Sequence, residues 1–342
     1  MLFPSILSRF SLSLCFVSFA YGYSLVQSYD YTNWYDSFTF ETVGFCLHVW
    51  LLESGLAKSS QATDPTGGFV DYISQSDAET LGMTKILNEQ VYLGVDNSSV
   101  ISTSDEGRKS IWLESKESFL HGLLIGDFAH MPGSVCGTWP AFWTIRNGNG
   151  TYGEIDIIEG FSDVTQNYMT LHTGEACSFQ PPADEETGTS NQDSYDCSLS
   201  SASGIGCSVI GPTGSYGTPF NNNGGGVYAL EWTSSLIKIY FFPRDKIPQD
   251  ITDGTPDPTN WGLPAANYDT AYGNCDIDAG FPAQTIYFDT TFCGAEAGGT
   301  AWTDWTDCSK VTGASTCEVY VAANPGVYSD SYWLVNSVKI YQ

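Results

Sequence analysis

The chain has 342 residues, of which 12 are Lys or Arg and 39 are Asp or Glu, for a formal net charge of −27. So acidic a chain disfavours nucleic acid as a partner, because phosphate binding needs a basic face. A neutral polymer remains open, and ten Trp with twenty Tyr supply flat rings that suit the faces of sugars as well as a protein core.

Residues 1–22 pass from Met1 through Arg9 into an apolar, serine-rich stretch ending Ala20-Tyr21-Gly22, which has the three parts of a signal peptide. No later run is long and apolar enough to span a bilayer, so the mature chain is expected to be secreted, extracellular or in the cell wall, with no membrane association and as a monomer. The remaining ~300 residues could by length form one domain or two, and the pattern of short strand-like runs favours a single domain, 23–342. Phe38-Thr39-Phe40 reads as a strand, but it is interrupted by 43–61, an apolar segment holding an unpaired Cys46. Val43 has codons beginning GT and Gln61 can be CAG, so 43–61 is read as a translated retained intron, with a structural insertion forming a short amphipathic helix as the alternative.

Short runs rich in Val, Ile, Tyr and Phe then recur at 69–73, 110–115, 228–232 and 335–341, separated by Gly, Asn, Pro and Ser. Helical periodicity over several turns is absent, which predicts an all-β fold, a β-sandwich of two antiparallel sheets. The polar stretch 180–226 reads as surface loop. Asn97-Ser98-Ser99 and Asn149-Gly150-Thr151 are glycan acceptor sites in a eukaryotic host. With Cys15 and Cys46 set aside, eight cysteines remain, an even number that reads as disulfides of undetermined pairing. They lack paired C-x-x-C spacing, so no metal site is predicted.

Residues 153–160, Gly-Glu-Ile-Asp-Ile-Ile-Glu-Gly, place three acids inside a β-branched apolar run. Glu154 and Asp156 share a strand face, but strict alternation would turn Glu159 to the other. One extra residue, a β-bulge at Ile157 or Ile158, returns all three to one surface. Two carboxyls on one face suit glycosidic hydrolysis, with retention when they lie ~5 to 5.5 Å apart. Asp156 between them can orient its neighbours and separate their pKa values.

The motif Glu-x-Asp-x-x-Glu, carried by Glu154, Asp156 and Glu159, resembles that of glycoside hydrolase family 16, in its fungal laminarinase-like branch of endo-1,3(4)-β-glucanases. The extra residue matches the bulged form of that motif. Further matches run in order along the chain, among them Gly107-Arg108-Lys109-Ser110, 127–133, Trp139-Pro140-Ala141-Phe142-Trp143, 170–174, Phe288-Asp289-Thr290-Thr291-Phe292-Cys293-Gly294 and 332–337. The resemblance implies a concanavalin-like β-sandwich (β-jelly roll) with a concave substrate cleft, and a β-glucan polysaccharide as substrate. It implies Glu154 as nucleophile, Glu159 as general acid and base, Asp156 as their assistant, and His172 near the cleaved bond. No cofactor is needed for that chemistry, and a structural calcium is allowed. Trp139 and Trp143, i and i+4 in a strand, are predicted to form the sugar platform, and Trp232 is assigned to the substrate with a core position as its alternative. The rival readings are a cell-wall glucan transglycosylase, which shares the first chemical step, and a non-catalytic glucan-binding protein, which would not need both glutamates.

Overall fold

The computed structural model describes residues 22–42, 64, 66–146, 148, 150–192, 194–201 and 204–342. Cys15, Cys46, Asn149, the segment 43–61 and all of the expected signal peptide but Gly22 lie outside the described residues. Two large antiparallel sheets dominate. In spatial order one contains β13 (Thr189–Ser190), β14 (Cys207–Ile210), β11 (Tyr168–Thr173), β10 (Gly153–Glu159), β9 (Thr138–Arg146), β19 (Gln284–Phe292), β7 (Trp112–Ser115) and β2 (Phe38–Phe40). This is the site sheet. The back sheet contains β17 (Ala266–Asp269), β16 (Leu236–Pro243), β15 (Gly226–Trp232), β8 (Gly122–His130), β20 (Trp333–Tyr341), β5 (Gln90–Leu93) and β4 (Thr84–Leu87), with β1 (Leu25–Tyr29) paired to β20. Two small ribbons, β12 (Cys177–Phe179) with β18 (Gly273–Cys275) and β3 (Val70–Tyr72) with β6 (Arg108–Ser110), complete the strands.

Alternation along the strands explains how the sheets meet. Phe142 of β9 and Phe288 of β19 point away from the site and meet Phe128 of β8 at ring-centroid distances of 5.1 and 6.1 Å, while Trp333 of β20 lies 5.6 Å from Phe288. Burying each of these rings contributes roughly 1.5–3 kcal/mol. β19 is buried at all nine positions, since one face meets the back sheet and the other lies under the aromatic side of the site. Helices among the described residues are short, the longest being Cys317–Ala323, and none is long and apolar enough to cross a membrane.

The stretch 180–226 is not all loop, because Cys207-Ser-Val-Ile forms β14 and extends the site sheet beside β11. Its alternating apolar residues are few enough to be lost in a polar surrounding. The eight cysteines form four disulfides, Cys136–Cys308, Cys177–Cys275, Cys197–Cys207 and Cys293–Cys317. Two of them tie the ends of β9 and β19 to the helical segment 301–323. That segment is also held by Arg108, which is fully buried, donates to the Val321 carbonyl and pairs with Asp96 at 3.4 Å. A buried guanidinium persists because its N–H groups find carbonyl and carboxylate acceptors.

Candidate functional site

The site is built on an irregular strand. Asp156 pairs with Trp143 of β9, but the next pair is Ile158 with Phe142, so Ile157 is the inserted residue. Ile155, Ile157 and Ile158 are all fully buried in the core between the sheets. The shift returns Glu159 to the face of Glu154 and Asp156, as the phase of the sequence requires. A bulge leaves backbone groups without ladder partners, and Asn167 takes them up. Its Nδ2 donates to the Ile157 carbonyl and its Oδ1 accepts from the Glu159 N–H, both at 2.8 Å. Asn167 is fully buried, and its own N–H donates to Ser215 Oγ at 2.9 Å.

Across the sheet, Asp156 lies between Thr170 of β11 and Trp143 of β9, and the row continues to Tyr287 of β19 and Glu114 of β7. The half-buried Trp143 indole stacks on Tyr287 at 4.7 Å, meets Trp112 edge-on at 6.1 Å and donates from Nε1 to Asp289 Oδ2 at 3.3 Å. Its orientation is thereby set by the Tyr287 ring and the Asp289 carboxyl of β19 and by Trp112 of β7. Trp139, also half-buried, donates from Nε1 to Glu159 Oε1 at 2.8 Å, so this indole holds one of the acids directly. His172 faces Glu154 across the β10–β11 ladder, with Nε2 3.6 Å from Asp156 Oδ2. Tyr152 donates its phenol hydrogen to Glu154 Oε2.

The acids are not electrostatically equal. Burial, and then the neighbouring charges of Glu154, Glu159 and Asp289, push Asp156 well above the ordinary Asp range. Glu159 is pushed up to about 8, first by desolvation and then by the Glu296 carboxylate on the helical turn Gly294–Ala297, against the lowering effect of the Trp139 hydrogen bond. Asp289 is also raised by burial. Several carboxyls packed in one place cannot all ionise, so the cluster holds protons at neutral pH.

Six of the seven residues singled out from the sequence thus come together: Glu154, Asp156, Glu159, Trp139, Trp143 and His172. Trp232 does not. It lies on β15 of the back sheet, fully buried, with Phe119 at 5.6 Å and His121 at 5.3 Å, and an indole enclosed in the core cannot meet a sugar. Strand periodicity assigns a face but does not say whether that face is open. Tyr152, Asn167, Tyr287, Asp289 and Glu296 were missed. Tyr152 alone had a local signal, standing two residues before Glu154 on the same face. Among the described residues, two groups of His, Cys and acidic side chains cluster: Glu154, Asp156 and His172, and Asp163 beside the Cys136–Cys308 disulfide. Neither supplies the six to eight oxygens that calcium takes, so the allowed structural calcium has no side-chain donor set there.

Residues 58–341 match a family model described as the XgeA-like, catalytic GH16 domain. A probable endo-1,3(4)-beta-glucanase of Aspergillus niger is 46% identical over 281 residues, covering 82% of this chain and 37% of the relative. Endo-1,3(4)-beta-glucanase xgeA of Emericella nidulans is 44% identical over 284 residues, covering 82% of this chain and 44% of the relative. The chain therefore spans less than half the length of these two relatives. Among solved structures, an elongating GH family 16 beta-1,3-glucosyltransferase superposes with a TM-score of 0.79 at 40% identity, covering 94% of this chain and 100% of the other. Laminarinase 16A from Phanerochaete chrysosporium, with beta-glucans in its donor and acceptor sites, gives 0.79 at 35% identity over 94% of this chain and 99% of that one. With its sandwich, its bulged strand and the family match over most of its length, the chain belongs to glycoside hydrolase family 16, in the XgeA-like group.

Proposed function

We propose that this protein is a secreted endo-β-glucanase that hydrolyses β-1,3 and mixed β-1,3/1,4 glucans with retention of configuration. The observation that carries the reading is the bulge at Ile157, which sets Glu154, Asp156 and Glu159 on one face beside Trp143, with Glu159 raised enough to carry a proton at neutral pH. Glu154 attacks the anomeric carbon while Glu159 protonates the departing glycosidic oxygen, so the C–O bond breaks as the glycosyl ester forms. Water then attacks the same carbon, Glu159 takes its proton, and Glu154 is released. Asp156, between them and close to His172, holds the pair in orientation, and Trp143 and Trp139 carry a glucose ring. Side chains supply nucleophile, acid and base, so no cofactor enters this scheme. Four disulfides support an oxidising, extracellular destination. One domain, monomeric, with 43–61 absent from the spliced product, is the accompanying reading; a secreted peptide joining Thr42 to Ala62 is its test.

Product analysis on laminarin, lichenan and agarose tests the function. Laminarin and lichenan are expected to be cut, agarose left intact, and Glu154→Gln to be inactive on all three. Cleavage of agarose alone would overturn the substrate, and full activity of the variant would overturn the nucleophile.

A second reading, glucan transglycosylation, is favoured by the likeness to an elongating glucosyltransferase. Both reactions share the glycosyl ester and differ in whether water or a sugar hydroxyl accepts it. Incubation with a single laminari-oligosaccharide separates them, since a transferase yields products longer than the substrate at early times and a hydrolase yields only shorter ones.

The pH profile follows from Glu159. It must be protonated to act as the acid, so kcat/KM is expected to fall as pH rises through about 8. Glu296→Gln removes a neighbouring negative charge and should move that alkaline limb to lower pH; a limb that stays in place would remove Glu296 from the account.

A further inference from the structure

We propose that Tyr152 is the positioning residue of the nucleophile, holding one oxygen of Glu154 so that the other attacks; this rests on Glu154 as nucleophile. Tyr152 stands immediately before β10, two residues from Glu154, where alternation sends both side chains to the same face. Its phenol donates to Glu154 Oε2. Among the described residues no hydrogen bond is made to Oε1, the oxygen assigned here to reach an anomeric carbon.

The donor is itself fixed from several directions. The Tyr152 carbonyl accepts from the Gly174 N–H at 2.8 Å, and the Gly153 carbonyl accepts from Gln284 Nε2 at 3.2 Å. Position 153 has no room for a side chain, because a Cβ there would sit 2.4 Å from the Gly280 carbonyl oxygen. The strand start is therefore clamped between two neighbouring segments. The Arg146 guanidinium of β9 lies over the Tyr152 ring, 5.9 Å from its centroid. Burial, followed by the charge of Glu154, pushes the phenol far above its ordinary range, so the proton stays on the tyrosine and the carboxylate is the acceptor.

This bond changes strength during the reaction. A carboxylate accepts a charge-assisted hydrogen bond more strongly than a neutral ester carbonyl does. When Oε1 bonds to the anomeric carbon, Oε2 becomes the ester carbonyl and the Tyr152 bond weakens. When water attacks and the Oε1–carbon bond breaks, the electron pair returns to the carboxylate and the bond strengthens. Tyr152 thus stabilises the leaving carboxylate of the second step and the attacking form of the first. Among the described residues, the charged and titratable groups near Glu154 include Asp156 and Glu159 on its own strand, Tyr152 two residues before it and His172 on β11, with Arg146 of β9 over the Tyr152 ring.

Tyr152→Phe keeps the ring against Arg146 and removes only the donor. Its kcat on laminarin is expected to fall roughly 10- to 100-fold, the range of a hydrogen bond to a charged group, with KM falling alongside it as the second step becomes limiting. With an aryl β-laminaribioside bearing a good leaving group, release of the aryl alcohol should show a burst, and intact-protein mass spectrometry should find the glycosyl ester accumulating. Absence of both the burst and the accumulated ester, or a fall in kcat matched by a collapsed melting temperature, would overturn the proposal. Glu154→Gln, assayed in parallel, separates the two readings: an inactive Glu154→Gln beside an unaltered Tyr152→Phe defeats the role of Tyr152 alone, while an active Glu154→Gln defeats the nucleophile assignment beneath it.

Discussion

Glu159→Gln is expected to slow laminarin cleavage about 10²- to 10⁴-fold, the range of a lost general acid. The amide fits the same space, and its oxygen can still accept from Trp139 Nε1, so the change is confined to the proton. An aryl laminaribioside with a good leaving group needs no proton in the first step, so its first turnover should survive while turnover as a whole slows. The same substitution should stabilise the fold in a pH-dependent way. The folded pKa of Glu159 is raised to about 8. Its favourable contribution is therefore fully present below the ordinary Glu range and is lost as pH rises through about 8, where a desolvated charge must form beside Glu296 and Glu154. Glutamine never takes that charge. Melting temperatures should be nearly equal for the two proteins at pH 4, with the variant higher at pH 8. A wild-type rate on laminarin, or a melting difference independent of pH, would count against this role and environment.

Asn167→Ala is expected to cost both stability and rate. It leaves the Ile157 carbonyl and the Glu159 N–H, both in the buried bulge, without partners, at about 1–3 kcal/mol each. Together that is about 2–6 kcal/mol, enough to lower the melting temperature by several degrees. Since the bulge sets the direction of Glu159, kcat should fall even at temperatures where the variant is fully folded. Circular dichroism melts with assays well below the transition would check both parts. A variant that melts with the wild type would mean that water replaces the amide and that Asn167 does not hold the bulge.

How much of this was legible in the sequence depended on whether a residue's task is local. The bulge could be read because a strand has period two, and three acids at 154, 156 and 159 carry a phase error that one inserted residue corrects. The eight-cysteine set could be read by parity, and the all-β sandwich by short β-branched runs between turn residues. Trp232 was misplaced for the same reason that Trp143 was well placed: alternation assigns each a face, and which face is open depends on the opposite sheet. Asn167, Asp289 and Glu296 were out of reach, because each acts on a partner from another element.

The sequence by itself determined the strand with its extra isoleucine, the three acids and their relation to a known family, since those depend on residues adjacent in the chain. Only the tertiary structure decided which aromatic rings face the site, how the disulfides pair, and that Glu159 sits among enough buried carboxyls to hold its proton. Packing brings distant segments into van der Waals and electrostatic range, and desolvation and like-charge repulsion act over those distances, which spacing along the chain does not encode.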